Sequence, residues 1–260
     1  MRTDCCKTKY PILLVHGMNC RDERPIFYWG RIPDTLRERG ATVYLGGQDA
    51  WGTVAGNAEQ LRKTVLRILE CEQCEKINII AHSKGGLEAR YLISCLGMAE
   101  HVASLTTLST PHHGSHTAKW FGAQRILAPY GFCSNVFWRL LGDEAPCFKE
   151  TLRNLSSDWA ETFNRECPDM PGIFYQSWGA RLAGSLHDPV MALYASVCRW
   201  LDGDTDGLVS PESAKWGLYR GTLERVGHQD LADAWKHDLP HFKPRGFYVK
   251  IVRELKKEGF

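Results

Sequence analysis

Apolar residues follow two rhythms along this chain. Residues 10–16 (YPILLVH), 77–81 (INIIA) and 102–109 (VASLTTLS) are short, nearly continuous runs, and 41–45 (ATVYL) alternates, so all four read as strands. Between them, residues 29–39 (WGRIPDTLRER, closed by Gly40), 57–69 (with Leu61, Val65, Leu66 and Leu69) and 86–96 space their apolar positions for helices. Residues 173–178 and 222–226 are predicted as later strands, and 247–255 as a final amphipathic helix. Runs apolar throughout suit strands covered on both faces, and strand–helix alternation at this spacing predicts βαβ units. The expected fold is therefore α/β, with a mostly parallel central sheet and helices on both faces.

Residues 117–169 break the rhythm. The stretch "AKWFGAQRILAPYGFCSNVFWRLLGDEAPCF" is rich in aromatics and leucine and interrupted by glycine and proline, which suits short helices rather than a sheet element. With no repeat or low-complexity linker, residues 1–260 read as one domain carrying this helical insertion.

Composition narrows the classes. With 43% apolar and 24% charged residues among 260, the chain is of ordinary globular type, long enough for one sizeable core. A formal net charge of +2 offers no polyanion-binding stripe and argues against nucleic acid as a partner. No apolar run approaches the roughly 18 residues of a membrane-spanning helix. The first residues, MRTDCCKTKY, hold no apolar segment of the secretory type. The ten cysteines are scattered, and Cys95 and Cys198 fall inside apolar patterns, which favours reduced thiols and a cytoplasmic setting. Cys71 and Cys74 have metal-ligand spacing but no second pair, so zinc is not expected.

The chemistry concentrates at "NIIAHSKGGL", residues 78–87, where a strand runs into a serine and then into glycines that open a helix. A nucleophilic serine on a sharp strand-to-helix turn needs small residues two positions to either side, and Ala81 and Gly85 supply them around Ser83. In α/β hydrolases the acid and the histidine follow the serine in that order, on loops after later strands. "DTDGLVS" offers Asp206 and "RVGHQD" offers His228, so His228 would take the Ser83 proton while Asp206 holds its other ring N–H. His82 and the group His112, His113 and His116 compete, but lie beside or soon after the serine; His112 and His113 read as loop or pocket residues. The first strand ends in "LLVHGMNC", which would turn the Met18 N–H toward the serine. Met18 and Lys84 are therefore the expected backbone donors to an oxyanion.

These segments together resemble the bacterial true lipases of the Pseudomonas–Burkholderia type. "LLVHGM", "YWGRIPDTLRERGATVYL", "INIIAHSKGGLEARYL", "LTTLSTPHHGS", "DTDGLVS" and "VGHQD" match that family's strands, elbow and catalytic loops in order. The resemblance implies hydrolysis of triacylglycerols or other carboxylic esters at a lipid–water interface, with no cofactor for the chemistry and a mobile lid, here 117–169. It also implies a structural calcium, with Asp188 (in "LHDPV") and Asp230 as its carboxylates; a glutamine usual in the family is Ala234 here. Relatives of this type are secreted and carry a disulfide, against the cysteine pattern above. The same triad would also serve a short-chain esterase, a polyester hydrolase or a thioesterase. A catalytically silent lipid-binding relative would lack a triad member, and all three candidates are present.

Overall fold

The computed structural model describes residues 4–22 and 27–260. Six parallel strands form one sheet: β1 (Ile12–Val15), β2 (Val43–Leu45), β3 (Ile77–His82), β4 (Val102–Leu108), β5 (Phe174–Arg181) and β6 (Leu218–Glu224), in spatial order β2-β1-β3-β4-β5-β6. Alternate residues of β1 serve two cores. Ile12 and Leu14 face α1 (Ile32–Glu38) and α10 (Pro244–Lys257), while Leu13 and Val15 face α2 (Val54–Glu72) and α3 (Lys84–Cys95). This double burial is why the strands read as unbroken apolar runs.

The strand order turns around at β1, with β2 on one side and β3 on the other. A crevice opens at the carboxyl ends of strands flanking such a switch point, where open α/β sheets bind ligands. Gly17 follows β1 there and Ser83 follows β3.

Residues 117–169 hold short helices: α4 (His116–Gly122), α5 (Ala128–Leu140), α6 (Phe148–Asn154) and α7 (Ser157–Glu166). Two carboxylates fasten this layer to the loop after β2. Asp143 accepts from the Ala50 and Trp51 amides at 3.0 and 2.9 Å, and Asp49 accepts from those of Glu144 and Ala145 at 2.9 and 2.7 Å.

Two boundaries and one element differ most from the sequence expectation. β6 begins four residues earlier than predicted, at Leu218, because an edge strand needs no continuous apolar run to be held by its neighbour. The last helix starts at Pro244, whose ring suits the first helical turn. α8 (Pro189–Asp202) was not anticipated; it buries Met191 and Cys198 and leaves most of its apolar residues exposed. α9 (His228–Leu231) is a single turn after β6.

Candidate active site

β3 delivers Ser83 into the crevice and α3 departs from it. Ser83 has φ 56° and ψ −133°, a conformation that strains a residue with a Cβ by about 1–3 kcal/mol. The strand pairing holds it there, since the Ser83 amide donates to Leu108 O at 2.9 Å. The glycines are required by close approach. A Cβ on Gly85 would collide with the carbonyl oxygens of Val15 and His16, and one on Gly17 would come within 2.7 Å of the Ser83 Cβ.

His228 and Asp206 meet as expected. His228 Nδ1 lies 2.7 Å from Asp206 Oδ2, and the His228 amide donates to Asp206 O at 2.8 Å. The fully buried carboxylate is fixed through its other oxygen, which accepts from the amides of Leu208 and Val209 at 3.0 and 2.8 Å. A carboxylate on Nδ1 selects the tautomer with its proton there and leaves Nε2 as the basic nitrogen. Ser83, His228 and Met18 share one narrow cavity of about 60 Å³ with Tyr28, His82 and Leu208.

Sequence reasoning did not find the partners of the elbow. His82 lies against His228 with ring centroids 4.4 Å apart and ring planes tilted by 41°, and its Nδ1 faces the Tyr28 hydroxyl at 2.6 Å. Burial, with His228 adding to it, holds the His82 imidazole well below its usual range, so it is neutral. Tyr28 was invisible because the elbow motif carries no mark of what packs under it.

Lys84 combines two roles. As the first residue of α3 its backbone N–H has no intrahelical acceptor, so it is free to serve the crevice. Its side chain turns inward, forms a buried ion pair with Glu88 and donates to Gly52 O at 2.9 Å. Glu88 also accepts from Asn57 Nδ2 at 2.7 Å and from Gln48 Nε2 at 3.0 Å, and Gln48 Nε2 donates to His16 O at 3.0 Å as well. One polar network thus reaches both backbone turns expected to form an oxyanion hole. An i, i+4 Lys–Glu pair ordinarily reads as a solvated surface pair, which hid it.

Of the competing histidines, His82 stays at the cavity, while His112 and His113 go elsewhere. His112 is buried against Trp216 and pairs with Thr107 Oγ1 at 2.9 Å and Arg90 Nη1 at 3.3 Å, while His113 is exposed beside Lys215 O.

Asp188 and Asp230 do not fit a calcium ion as they stand. Asp188 caps α8 by accepting from the Met191 amide at 3.0 Å, and its second oxygen accepts from Trp235 Nε1 at 3.0 Å. Asp230 Oδ2 accepts from the Gly227 amide at 2.7 Å and faces His187 Nε2 at 2.6 Å. Calcium needs six to eight oxygen ligands. These oxygens are already turned to N–H donors, and among the described residues no group of three or more His, Cys, Asp or Glu side chains could hold a metal.

Residues 11–162 match the family described as palmitoyl protein thioesterase. Triacylglycerol lipase 2 of Saccharomyces cerevisiae is 30% identical over 259 residues, covering 90% of this chain and 75% of that protein. The chain belongs to this lipase and thioesterase family of α/β hydrolases. The triacylglycerol lipase of Burkholderia plantarii is 34% identical over 241 residues, covering 87% of this chain and 65% of that one. The crystal structure of Staphylococcus hyicus lipase superposes with a TM-score of 0.74 at 17% identity, over 97% of this chain and 98% of that one. The protein is a lipase-type serine ester hydrolase. Of the candidate residues, the matched thioesterase segment includes Met18, Ser83 and Lys84 and stops before Asp206 and His228.

Proposed function

We propose that Ser83, His228 and Asp206 are the nucleophile, general base and orienting acid of an acyl-transfer triad acting on lipid esters, triacylglycerols foremost. The arrangement that carries this reading is an imidazole held by a buried carboxylate in the same small cavity as a strained serine. Ser83 Oγ attacks the ester carbonyl carbon and its proton passes to His228 Nε2, while Asp206 stabilises the imidazolium. The Met18 and Lys84 amides receive the oxyanion, each worth about 10²–10³ in rate. The intermediate collapses to an acyl-enzyme as His228 returns its proton to the leaving alcohol, and water then repeats both steps.

A cavity of about 60 Å³, lined by the loops after β1, β3 and β6 and by Leu208, is far smaller than the roughly 300–1,000 Å³ of a ligand pocket, so an acyl chain enters only after those loops open. The exposed apolar residues of α5 and α8, among them Phe132 at 70% and Trp200 at 92%, suit a lipid–water interface.

Ser83→Ala tests the triad. Turnover of a soluble p-nitrophenyl ester is expected to fall on the order of 10⁴-fold or more with the circular dichroism unchanged; retained turnover overturns the assignment. A second reading, thioester hydrolysis, is supported by the match over residues 11–162. Rates on a palmitoyl thioester and on a triacylglycerol emulsion, compared for the unmodified protein, decide between the two.

A further inference from the structure

The sulfur atoms of Cys95 and Cys167 lie 2.7 Å apart, closer than two non-bonded sulfurs rest. Cys95 is the last residue of α3 and exposed, whereas Cys167 closes α7 and is 1% exposed. Their approach is imposed by more than the sulfurs. Arg90, on the same helix as Cys95, donates from Nη2 to Cys167 O at 2.8 Å and from Nη1 to Asn164 Oδ1 at 2.8 Å. Its guanidinium also lies 4.9 Å from the centre of the Phe163 ring of α7. The Cys95 thiol itself approaches Glu166 O at 3.7 Å. The end of α7 is thus fastened to α3 through its backbone, and the two thiols are presented to each other whatever their redox state.

We propose that Cys95 and Cys167 form a reversible disulfide that clamps the base of the 117–169 insertion to the helix that begins beside Ser83. The oxidant is a soluble low-molecular-weight disulfide of the glutathione class. The exposed Cys95 thiolate attacks one sulfur of that disulfide and expels the other half as a thiol, leaving a mixed disulfide on Cys95. Cys167 then loses its proton and attacks the Cys95 sulfur, releasing the second thiol. Two protein thiols are oxidised, and two electrons and two protons leave with two reduced small thiols. Burial, reinforced by the Cys95 sulfur, holds the Cys167 thiol well above its usual range, so the second step is the slow one and quickens as pH rises.

The bridge would close a loop spanning 72 residues of sequence separation, which contains the helices of the insertion. Removing that freedom from the unfolded chain is expected to raise the thermal midpoint by about 10 °C. The test incubates dilute, fully reduced protein with oxidised glutathione, quenches with an alkylating agent and maps peptides without reduction. The expected result is a Cys95–Cys167 linked peptide as the main product, with the midpoint raised and dithiothreitol reversing both. Cys95→Ser, at an exposed position, is expected to abolish the linkage and the shift; it decides the matter even if Cys167→Ser misfolds. Recovery of Cys95 only as a free thiol or a glutathione adduct, or a midpoint shift that persists in Cys95→Ser, overturns the proposal.

Discussion

Helices α3 and α8 treat charge and hydrocarbon in opposite ways. α3 buries Lys84, Glu88 and Arg90 at no more than 2% exposure, yet α8 leaves Leu193 at 68% and Trp200 at 92%. Propensity explains neither choice, since both sequences form helices readily. The difference lies in what each helix must hold. α3 starts at the strained serine, and its charged side chains reach across to the loop after β2 and to the end of α7. Lys84 and Glu88 are met by fixed partners and Arg90 by partners at both terminal nitrogens, its Nε alone lacking one among the described residues, so burial gives orientation at a tolerable electrostatic cost. α8 is anchored at its ends and along one stripe. Asp202 accepts from Ser115 Oγ and from the His116 and Thr117 amides, while Met191 and Cys198 pack behind the Asp206 loop. Its outer face has no partner among the described residues and is free for one outside the chain.

The comparison breaks most sharply at Glu88. Glu88→Ala leaves the Lys84 ammonium buried without its counter-ion and takes one of two acceptors from each of the side-chain amides of Gln48 and Asn57. A loss of about 3–5 kcal/mol is expected, read as a drop of roughly 10 °C in the thermal midpoint. Lys84→Met combined with Glu88→Gln removes both charges and keeps a side-chain carbonyl for the two amides, so most of the loss should return. Equal losses in the single and double variants would mean that pairing is not what makes burial on α3 tolerable.

The next largest effect comes from pH, because two neutral imidazoles flank α3. His82 precedes the elbow and His112 touches Arg90, and burial holds both well below the usual range, reinforced by His228 for the first and by Arg90 for the second. As the pH falls below about 6.5 the unfolded chain takes up protons that the folded chain refuses, so the unfolded state binds more and stability falls. Each histidine contributes a slope of about 1.4 kcal/mol per pH unit in that window. Thermal melts between pH 7.5 and 5 should show the midpoint falling below neutrality. His112→Gln should flatten the curve by about one such slope, and an unchanged curve would remove His112 from the account.

How much of this was legible in sequence follows from the same physics. β1, β3 and β4 were readable because strands covered on both faces need apolar residues at every position, and the elbow because a strained serine needs small neighbours at fixed offsets. Asp206 and His228 were readable only jointly, by their order after Ser83. α8 is harder to read because the apolar residues of "PVMALYASVCRWL" do not distinguish its buried side, with Met191 and Cys198, from the side left exposed, with Leu193 and Trp200. The burial of the Lys84–Glu88 pair and the Tyr28–His82 contact stayed hidden because sequence carries no record of a partner 40 residues away, as Gln48 is from Glu88, or 54, as Tyr28 is from His82.

The outer face of α8 supplies a smaller test. Replacing Leu193, Val197 and Trp200 together by serine removes hydrocarbon that the described residues leave exposed. Stability should change by no more than about 0.5 kcal/mol for each substitution, and soluble-ester turnover should hold. The rate on a triacylglycerol emulsion should fall about tenfold, a conservative share of the 1.5–3 kcal/mol available from burying each large apolar side chain. Equal losses on soluble and emulsified substrate would show that α8 serves the fold rather than an interface.

The smallest effect separates a helix cap from a metal ligand at the start of α8. Asp188→Ala removes acceptors from the Met191 amide and the Trp235 indole, and should cost about 1 kcal/mol, the usual value of an N-cap. Asp188→Asn should cost less, because an amide oxygen still accepts from Met191 while only the indole loses its acceptor. Treating the unmodified protein with a chelator should leave its midpoint unchanged within about 1 °C, since the Asp188 and Asp230 oxygens already bond to protein donors. A drop of several degrees on chelation, absent in Asp188→Asn, would mean that a cation displaces those donors. α8 would then rest on an ionic anchor as α3 does, and the contrast between the two helices would be confined to the outer face of α8.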